Sequence, residues 1–189
     1  MNPLIAFYSG EKPDHAGRYI SQIQAWNDTQ LESVHDYIQW LFPLPEPSPV
    51  NPLAPVLKQE TIEIFRKTAQ LRTILHNSLV RMLRFYGFEQ AGDGKVVEAA
   101  NFKARARNWL TPGNHNHLRI TRIIRSTRLL GLESESAAFF EALKALFATQ
   151  QGSSNISRTT YSYWHQASQR AAGMKEATLS ALRMEHHPR

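Results

Sequence analysis

The sequence has no cysteine, no long apolar run and none of the short motifs that mark common catalytic sites. Without cysteine the chain forms no disulfide bond, thiolate metal site or thiol nucleophile, which is typical of proteins in a reducing compartment. No apolar stretch approaches the roughly 20 residues that a transmembrane helix requires. The first residues, MNPLIAFYSGEK, lack the basic leader and apolar core of a signal peptide. These absences predict a soluble, cytoplasmic protein.

Acidic residues are also missing between Glu98 and Glu133, where seven basic residues lie. The seven are Lys103, Arg105, Arg107, Arg119, Arg122, Arg125 and Arg128. The rest of the chain is almost neutral, with 15 basic and 16 acidic residues. One basic region in a neutral body indicates an anionic partner. The alternative is that these arginines pair with acidic residues supplied by other helices.

Helical periodicity runs along most of the chain, and no strand-like alternation of any length is present. We therefore predict an all-α fold, a compact multi-helix domain over residues 1–173 with a tail or short helix at 174–189. An extended lead-in is expected at 1–12, a helix capped by Asp14 up to residue 26, and a helix at 29–42 opened by a Thr29–Glu32 capping box. Further helices are expected at 59–86 with a break near 67–68, at 96–110 (or a pair of turns), at 116–131, from Ser134 or Ser136 to 147, and around Tyr161, Trp164 and Ala171. Residues 87 and 92–94 are expected to end a helix and to form a loop, and 149–155 a polar loop.

A proline-rich stretch separates the first helices from the rest of the chain, with six prolines between residues 43 and 55. Such a density of proline excludes a helix and favours extended backbone. Leu44, Val50, Leu53 and Leu57 make this stretch too apolar for a free linker. We predict an ordered strap that lies across the helices.

Residues 114–132, NHNHLRITRIIRSTRLLGL, combine an apolar face with an arginine at every third position. On a helical wheel Arg122 and Arg125 lie roughly opposite the isoleucines, and Arg119 and Arg128 lie at the borders of the apolar face. The arginine row would span about 13 Å of helix axis, which is suitable for contacting phosphates. Lys103, Arg105, Arg107 and Arg128 would extend this footprint, so a nucleic-acid-binding domain is one hypothesis.

Two groups of histidines suggest acid–base catalysis and metal binding, and the sequence favours neither. His35 beside Asp36 is interpreted as a buried histidine, since it falls on the apolar side of its helix. His115 and His117 stand two residues apart at a helix start, so they cannot face one ion in a regular helix. We therefore predict no catalytic residues, no metal site and no cofactor, and hence a protein that is not an enzyme.

Aromatic residues near the strap suggest a peptide-binding groove instead. Tyr37 and Trp40 could form its walls, Asp36 could hold an amine, and Arg119 or Arg122 could hold a carboxylate. Arg125, opposite the apolar face, is a further candidate for contact with a partner. Alternatively, Trp40 clamps the strap to its helix.

Several segments resemble the conserved N-terminal region of the opioid growth factor receptor family. They are HDYIQWLFPLPEP (35–47), LRFYGF (83–88) and NHNHLRITRIIRSTRLLGL (114–132), together with AFY (6–8) and the Asn101-Phe102 pair. The resemblance is in the same order along the chain and covers residues 4–170. It implies a helical domain that binds an enkephalin-type peptide without catalysis, associated with the nucleus or, peripherally, with its membrane. Animal members carry long additional C-terminal regions.

Overall fold

The computed structural model describes residues 2–169 of the chain, and these form eleven α-helices and one short β-hairpin. The elements are α1 (Pro3–Tyr8), α2 (Ile20–Gln24), α3 (Asp28–Ser33), α4 (Ile38–Leu41), α5 (Gln59–Lys67), α6 (Ala69–Tyr86), β1 (Phe88–Gln90), β2 (Val96–Glu98), α7 (Phe102–Trp109), α8 (Asn116–Leu129), α9 (Glu133–Phe147), α10 (Gln150–Asn155) and α11 (Arg158–Gln169). The predicted all-α fold is confirmed. Ala171 and the predicted tail at 174–189 lie outside the described residues, so the domain boundary stays a prediction. No helix within 2–169 is both long and apolar enough to cross a bilayer.

The hairpin is the one β-structure among these residues. Its strands pair antiparallel, with Phe88 opposite Glu98 and Gln90 opposite Val96. The sequence predicted the loop at 92–94 correctly but missed the strands, because three residues are too few to show alternation. The helix or pair of turns predicted at 96–110 is wrong for its first residues, because Val96–Glu98 form β2. Helix α7 occupies the later part of this range.

The N-terminal third contains more and shorter helices than the periodicity predicted. Residues 1–12 were expected to be extended, but they contain α1. Asp14 caps no helix; its carboxylate accepts hydrogen bonds from the backbone N–H groups of Ala16 and Arg18 at 2.9 and 3.0 Å and so closes a turn. The helix predicted at 29–42 is two helices, because α3 ends at Ser33 and α4 begins only at Ile38.

The capping of α3 also differs from the prediction. Asn27, not Thr29, forms the capping box, with its side chain accepting from the N–H of Gln30 at 2.9 Å. The expected polar loop at 149–155 contains α10, which Thr149 caps through the N–H of Gly152 at 3.0 Å. Short helices of five or six residues carry too little periodicity to be read from sequence, so their caps decide where they begin.

Two helix ends agree with the sequence. The break predicted near 67–68 lies at Thr68, whose φ of −106° and ψ of 101° separate α5 from α6. Gly87 then ends α6 with a φ of +86°, a left-handed conformation that glycine adopts without strain.

Helix α8 lies in the middle of the molecule, packed against α6, α9 and α11. Ile120, Ile123 and Ile124 are completely buried on this side. The indole N–H of Trp164 donates to the carbonyl of His117 at 3.0 Å, which attaches α11 to α8. The apolar face predicted for residues 116–131 is therefore the centre of the core.

The opposite face of α8 is covered as well, by residues 31–42 and by the strap that follows them. The Ser126 hydroxyl donates to the carbonyl of Pro43 at 2.9 Å, and the N–H of Leu57 donates to the carbonyl of Leu44 at 3.0 Å. The Asn51 amide donates to the carbonyl of Asp36 at 2.9 Å. The proline-rich stretch is thus an ordered strap, as predicted, and it converts an amphipathic helix into one that is buried on both sides.

Candidate functional site

A cleft of about 450 Å³ lies between the strap and the arginine-bearing face of α8. Its lining is mostly apolar and is completed by Tyr163 of α11. The side chains around it are His35, Ile38, Gln39, Leu44, Glu46, Pro47, Ser48, Pro49, Val50, His115, Leu118, Arg119, Thr121, Arg122, Arg125 and Tyr163. A volume of this size falls in the range of small-molecule and short-peptide sites.

Arg119 lies at one end of the cleft and is 5% exposed. Its Nη1 donates to the carbonyl of Leu31 at 2.9 Å and its Nη2 to the carbonyl of Val34 at 2.9 Å, with His35 Nδ1 a further 3.1 Å contact. The guanidinium also lies 5.6 Å from the ring centroid of Tyr37. Arg119 therefore closes the C-terminal end of α3, where helical carbonyls lack partners.

Arg125 lies six residues after Arg119 on α8 and forms a bidentate ion pair with Glu46 of the strap. The two N···O distances are 2.8 and 2.6 Å, and the side chains are 6% and 16% exposed. The helical wheel placed Arg125 opposite the apolar face and therefore in contact with a partner. That expectation is wrong about exposure, because the strap covers this side of the helix.

Arg122 lies between these two arginines and has a weaker set of contacts. Its Nη1 donates to the carbonyl of Phe42 at 3.1 Å. Burial lowers the pKa of Arg122 to about 10; the carboxylate of Glu46 opposes this shift and the charge of Arg125 adds to it. No carboxylate among residues 2–169 forms an ion pair with Arg122. Its charge is the least compensated of the three.

Gln39 of α4 contributes an unusual polar atom to the lining. The residue is 4% exposed, yet its Oε1 accepts no hydrogen bond from any described residue. A buried acceptor without a partner costs stability, about 1–3 kcal/mol in typical cases. Because Gln39 lines the cleft, a ligand that enters it could supply the missing donor.

Two histidines form the end of the cleft near Arg119. The rings of His35 and His115 are 5.3 Å apart, and His115 Nε2 lies 3.2 Å from Glu32 Oε1. His35 is exposed, so its interpretation as a buried core histidine is wrong; the helix it was assigned to ends before it. Within the described part of the chain, no group of three or more His, Cys, Asp or Glu side chains is arranged to hold a metal ion.

The other predicted ligand-binding residues lie outside the cleft. Tyr37 is completely buried and donates its hydroxyl to the carbonyl of Leu31 at 3.0 Å. Trp40 is 6% exposed, and its indole N–H donates to His15 Nδ1 at 2.9 Å. Both rings therefore belong to the core rather than to a groove wall, and Trp40 packs on Phe7 and His15.

Asp36 belongs to a separate polar cluster with Arg18 and His15. Its Oδ1 accepts from Arg18 Nη1 at 2.8 Å and its Oδ2 from His15 Nε2 at 3.2 Å. His15 Nδ1 accepts from Trp40, so Nε2 is the ring nitrogen that faces Asp36. Burial would raise the pKa of Asp36, but the hydrogen bond and charge of Arg18 and the charge of His15 lower it below its usual value.

This lowered pKa predicts a pH-dependent contribution to stability. Because the carboxylate is favoured in the folded state, its stabilising effect is present above the ordinary carboxyl value of about 3.9 and is lost as pH falls through the lower folded value. We expect Asp36→Asn to lower the melting temperature at pH 7, by the equivalent of about 0.2–1 kcal/mol for so exposed a pair. Melting curves from pH 7 to pH 2 test this: the gap to the wild type should close in acid, and a gap that persists at pH 2 would rule out a charge effect.

The predicted nucleic-acid footprint is not continuous in the structure. Arg105 is engaged, with its Nε donating to the carbonyl of Phe85 at 2.9 Å and its Nη1 3.1 Å from Asp28. Lys103 and Arg107 are exposed on α7, and Arg128 is half-buried at the far end of α8. With Arg119 and Arg125 buried, the arginines of α8 do not present one exposed basic row.

Sequence reasoning missed most residues of the cleft, including Glu46, Gln39, Leu118 and Tyr163. Glu46 carried a usable signal, because it is the only acidic residue within the proline-rich stretch at 43–55. A second, larger concavity of about 960 Å³ lies between α3, α6 and the hairpin, but it is open and polar.

The fold and the cleft define a small α-helical domain whose pocket is covered by a proline-rich strap. The chain belongs to the opioid growth factor receptor family: the family model described as "Opioid growth factor receptor (OGFr) conserved region" matches residues 3–187. The resemblance seen in the sequence is thereby confirmed.

Named relatives support the same assignment. The chain is similar to the opioid growth factor receptor of Rattus norvegicus, with 43% identity over 141 residues, which are 70% of this chain and 24% of the relative. It is 42% identical to the Homo sapiens opioid growth factor receptor over 139 residues, covering 69% of this chain and 20% of the relative. Opioid growth factor receptor-like protein 1 of Mus musculus is 37% identical over 142 residues, covering 69% and 29%.

The matched region is a minor part of these relatives. The chain spans about a quarter of the length of the curated relatives that it matches. No solved structure gives a significant match to the chain.

Proposed function

We propose that this chain is a peptide-binding domain and that the peptide lies in the cleft beneath the strap. The observation that carries the proposal is the cleft itself, a mostly apolar pocket with arginine side chains in its lining. Pockets that bind ligands combine apolar walls with a few polar groups that orient the ligand. The relatives are named as receptors for opioid growth factor, which makes an enkephalin-type peptide the first ligand to test.

The walls of the cleft suit a hydrophobic side chain. Ile38 of α4, Leu44 of the strap and Leu118 of α8 all line the cleft. Val50 of the strap lines the cleft and is 80% exposed. A peptide side chain that covers these groups would gain roughly 25 cal/mol for each Å² of apolar surface removed from water.

We infer a binding role without chemistry. His35 and His115 are the titratable histidines at the cleft; His35 contacts the guanidinium of Arg119, and His115 contacts the carboxylate of Glu32. Nucleophilic catalysis instead pairs a histidine with a serine, threonine or other nucleophile. The nucleic-acid hypothesis has no specific observation in its favour, since Arg119 and Arg125 of α8 are covered.

The experiment is calorimetric titration of the protein with an enkephalin-type pentapeptide. We expect saturable binding with one site, and we expect Leu118→Trp to weaken it at least about ten-fold, because the larger ring fills the cleft without changing charge. Val97→Trp is the matched control: it places the same ring on the hairpin, where Val97 is 39% exposed and lines no part of the cleft.

The outcomes separate the site from the function. Equal loss in both variants, or none in Leu118→Trp, would show that the peptide binds elsewhere. Absence of binding by the wild type would refute the peptide function for this ligand. Raising NaCl from 50 to 200 mM should change the affinity only a few-fold, whereas contacts to several phosphates would weaken binding by about 10³-fold or more.

A further inference from the structure

We propose that the cleft selects ligands that end in a carboxylate next to an apolar side chain, and that Arg122 holds the carboxylate. This inference rests on the proposed function, in which the ligand is a peptide. It specifies that the free C-terminal end of the peptide enters the cleft.

The three guanidinium groups of the cleft differ in how many N–H groups they have left to offer a ligand. Arg119 uses both terminal nitrogens on backbone carbonyls, and Arg125 uses both on Glu46. Arg122 donates from Nη1 to the carbonyl of Phe42. Its guanidinium forms no other hydrogen bond to a described residue. A guanidinium carries five N–H donors in a planar fork that matches a carboxylate. Arg122 is therefore the arginine of the cleft that keeps donors for a ligand.

The charges that line the cleft favour an anionic ligand. Three arginines and one glutamate line the cleft, and the glutamate is bound to Arg125. Arg119 and Arg122 are thus held by uncharged groups, which leaves the cleft with an excess of positive charge. The lowered pKa of Arg122 reflects this unfavourable burial. An incoming carboxylate would relieve it and form a charge-assisted hydrogen bond.

Gln39 lines the same cleft, and its buried Oε1 has no hydrogen-bond partner among the described residues. The last residue of a peptide presents a carboxylate, one backbone N–H and one side chain. The carboxylate would be held by Arg122, the N–H would donate to Gln39, and the side chain would face Leu118. Since Leu118 and Arg122 are four residues apart on α8, their side chains are neighbours on one helical face.

A ligand-free experiment tests the anion site by itself. Leu118→Glu places a carboxylate one turn before Arg122, and Leu118→Gln is its neutral counterpart with the same shape. We expect the Leu118→Glu variant to melt about 2–4 °C above the Leu118→Gln variant, as an ion pair of about 1 kcal/mol would give. The same two Leu118 variants are then compared in an Arg122→Gln background. The introduced carboxylate interacts with the helix dipole in both backgrounds, so the change between backgrounds reports its interaction with Arg122. The same difference in both backgrounds would overturn the role of Arg122.

A ligand experiment tests the chemistry of recognition. The pentapeptide with a free C-terminus should bind at least about ten-fold more tightly than its C-terminal amide, which is about 1.4 kcal/mol. Arg122→Gln should abolish this discrimination. Arg128→Gln, the same substitution on the same helix outside the cleft, should preserve it.

The results distinguish the two proposals. Equal binding of acid and amide would refute carboxylate selection and leave the peptide function intact. If neither form binds while decanoate does, the carboxylate site is supported and the peptide function is refuted. If neither peptide nor decanoate binds and the two Leu118 variants melt alike, both proposals fail.

Discussion

Replacing Glu46 with alanine is expected to destabilise the protein by about 3–5 kcal/mol, the range for removing one partner of a buried ion pair. The Arg125 guanidinium is 6% exposed and both of its terminal nitrogens bind Glu46. Without the carboxylate it would remain buried with its charge uncompensated. Urea unfolding at pH 7 measures this loss as a lower midpoint at similar slope.

An exposed ion pair on the same protein supplies the control. Lys144 lies 3.0 Å from Glu141 on α9, with both side chains more than half exposed. Glu141→Ala should cost less than about 1 kcal/mol. The double replacement Glu46→Leu with Arg125→Met should recover most of the stability lost by Glu46→Ala, because it removes both buried charges. A loss below about 1 kcal/mol for Glu46→Ala would contradict this expectation, because it is what an exposed ion pair contributes.

Arg119→Met is expected to cost about 2–5 kcal/mol, because it removes two charge-assisted hydrogen bonds: the carbonyl of Val34 loses the Arg119 donor, and the carbonyl of Leu31 keeps only the Tyr37 hydroxyl. Methionine keeps the length and apolar stem of the side chain, so the loss reports mainly the missing hydrogen bonds. Hydrogen exchange should show the effect locally, as faster exchange in α3 and in residues 34–37.

Lysine at the same position separates charge from geometry. Arg119→Lys keeps the positive charge but cannot reach two carbonyls with a planar fork, so its stability should lie between that of the wild type and Arg119→Met. If the lysine variant equals the wild type, the fork is unimportant and the charge alone stabilises this junction. The matched variant Arg128→Met, at the half-buried end of α8, should change stability by less than about 0.5 kcal/mol.

The helices that the sequence predicted well are the long ones with strong periodicity. Helix α8 was expected at 116–131 and spans Asn116–Leu129, and the pair α5 and α6 was expected with its break at the observed position. The short elements were missed or misplaced, among them α10 and the two strands. In such pieces the period repeats once at most, so tertiary contacts and caps decide the conformation.

The candidate site was predicted only in part. Arg119, Arg122 and Arg125 do line one cleft, but Asp36, Tyr37 and Trp40 do not. The error came from treating residues 29–42 as one helix, which placed Tyr37 and Trp40 on an outward face. The break between Ser33 and Ile38 turns both rings into the core. Whether the residues of the cleft bind a ligand stays a prediction.

The sequence by itself determined the helical class, the central amphipathic helix, the ordered strap and the family. These follow from periodicity, composition and short-range signals, which are properties of neighbouring residues. Only the tertiary structure decided what the arginines do. Periodicity assigns each arginine to a face of α8, but the groups that cover that face come from far along the chain; Glu46 is 79 residues from Arg125. Carbonyl and carboxylate groups of residues 31–46 bind Arg119 and Arg125. Arg122 is therefore the arginine of the cleft to be tested with a ligand.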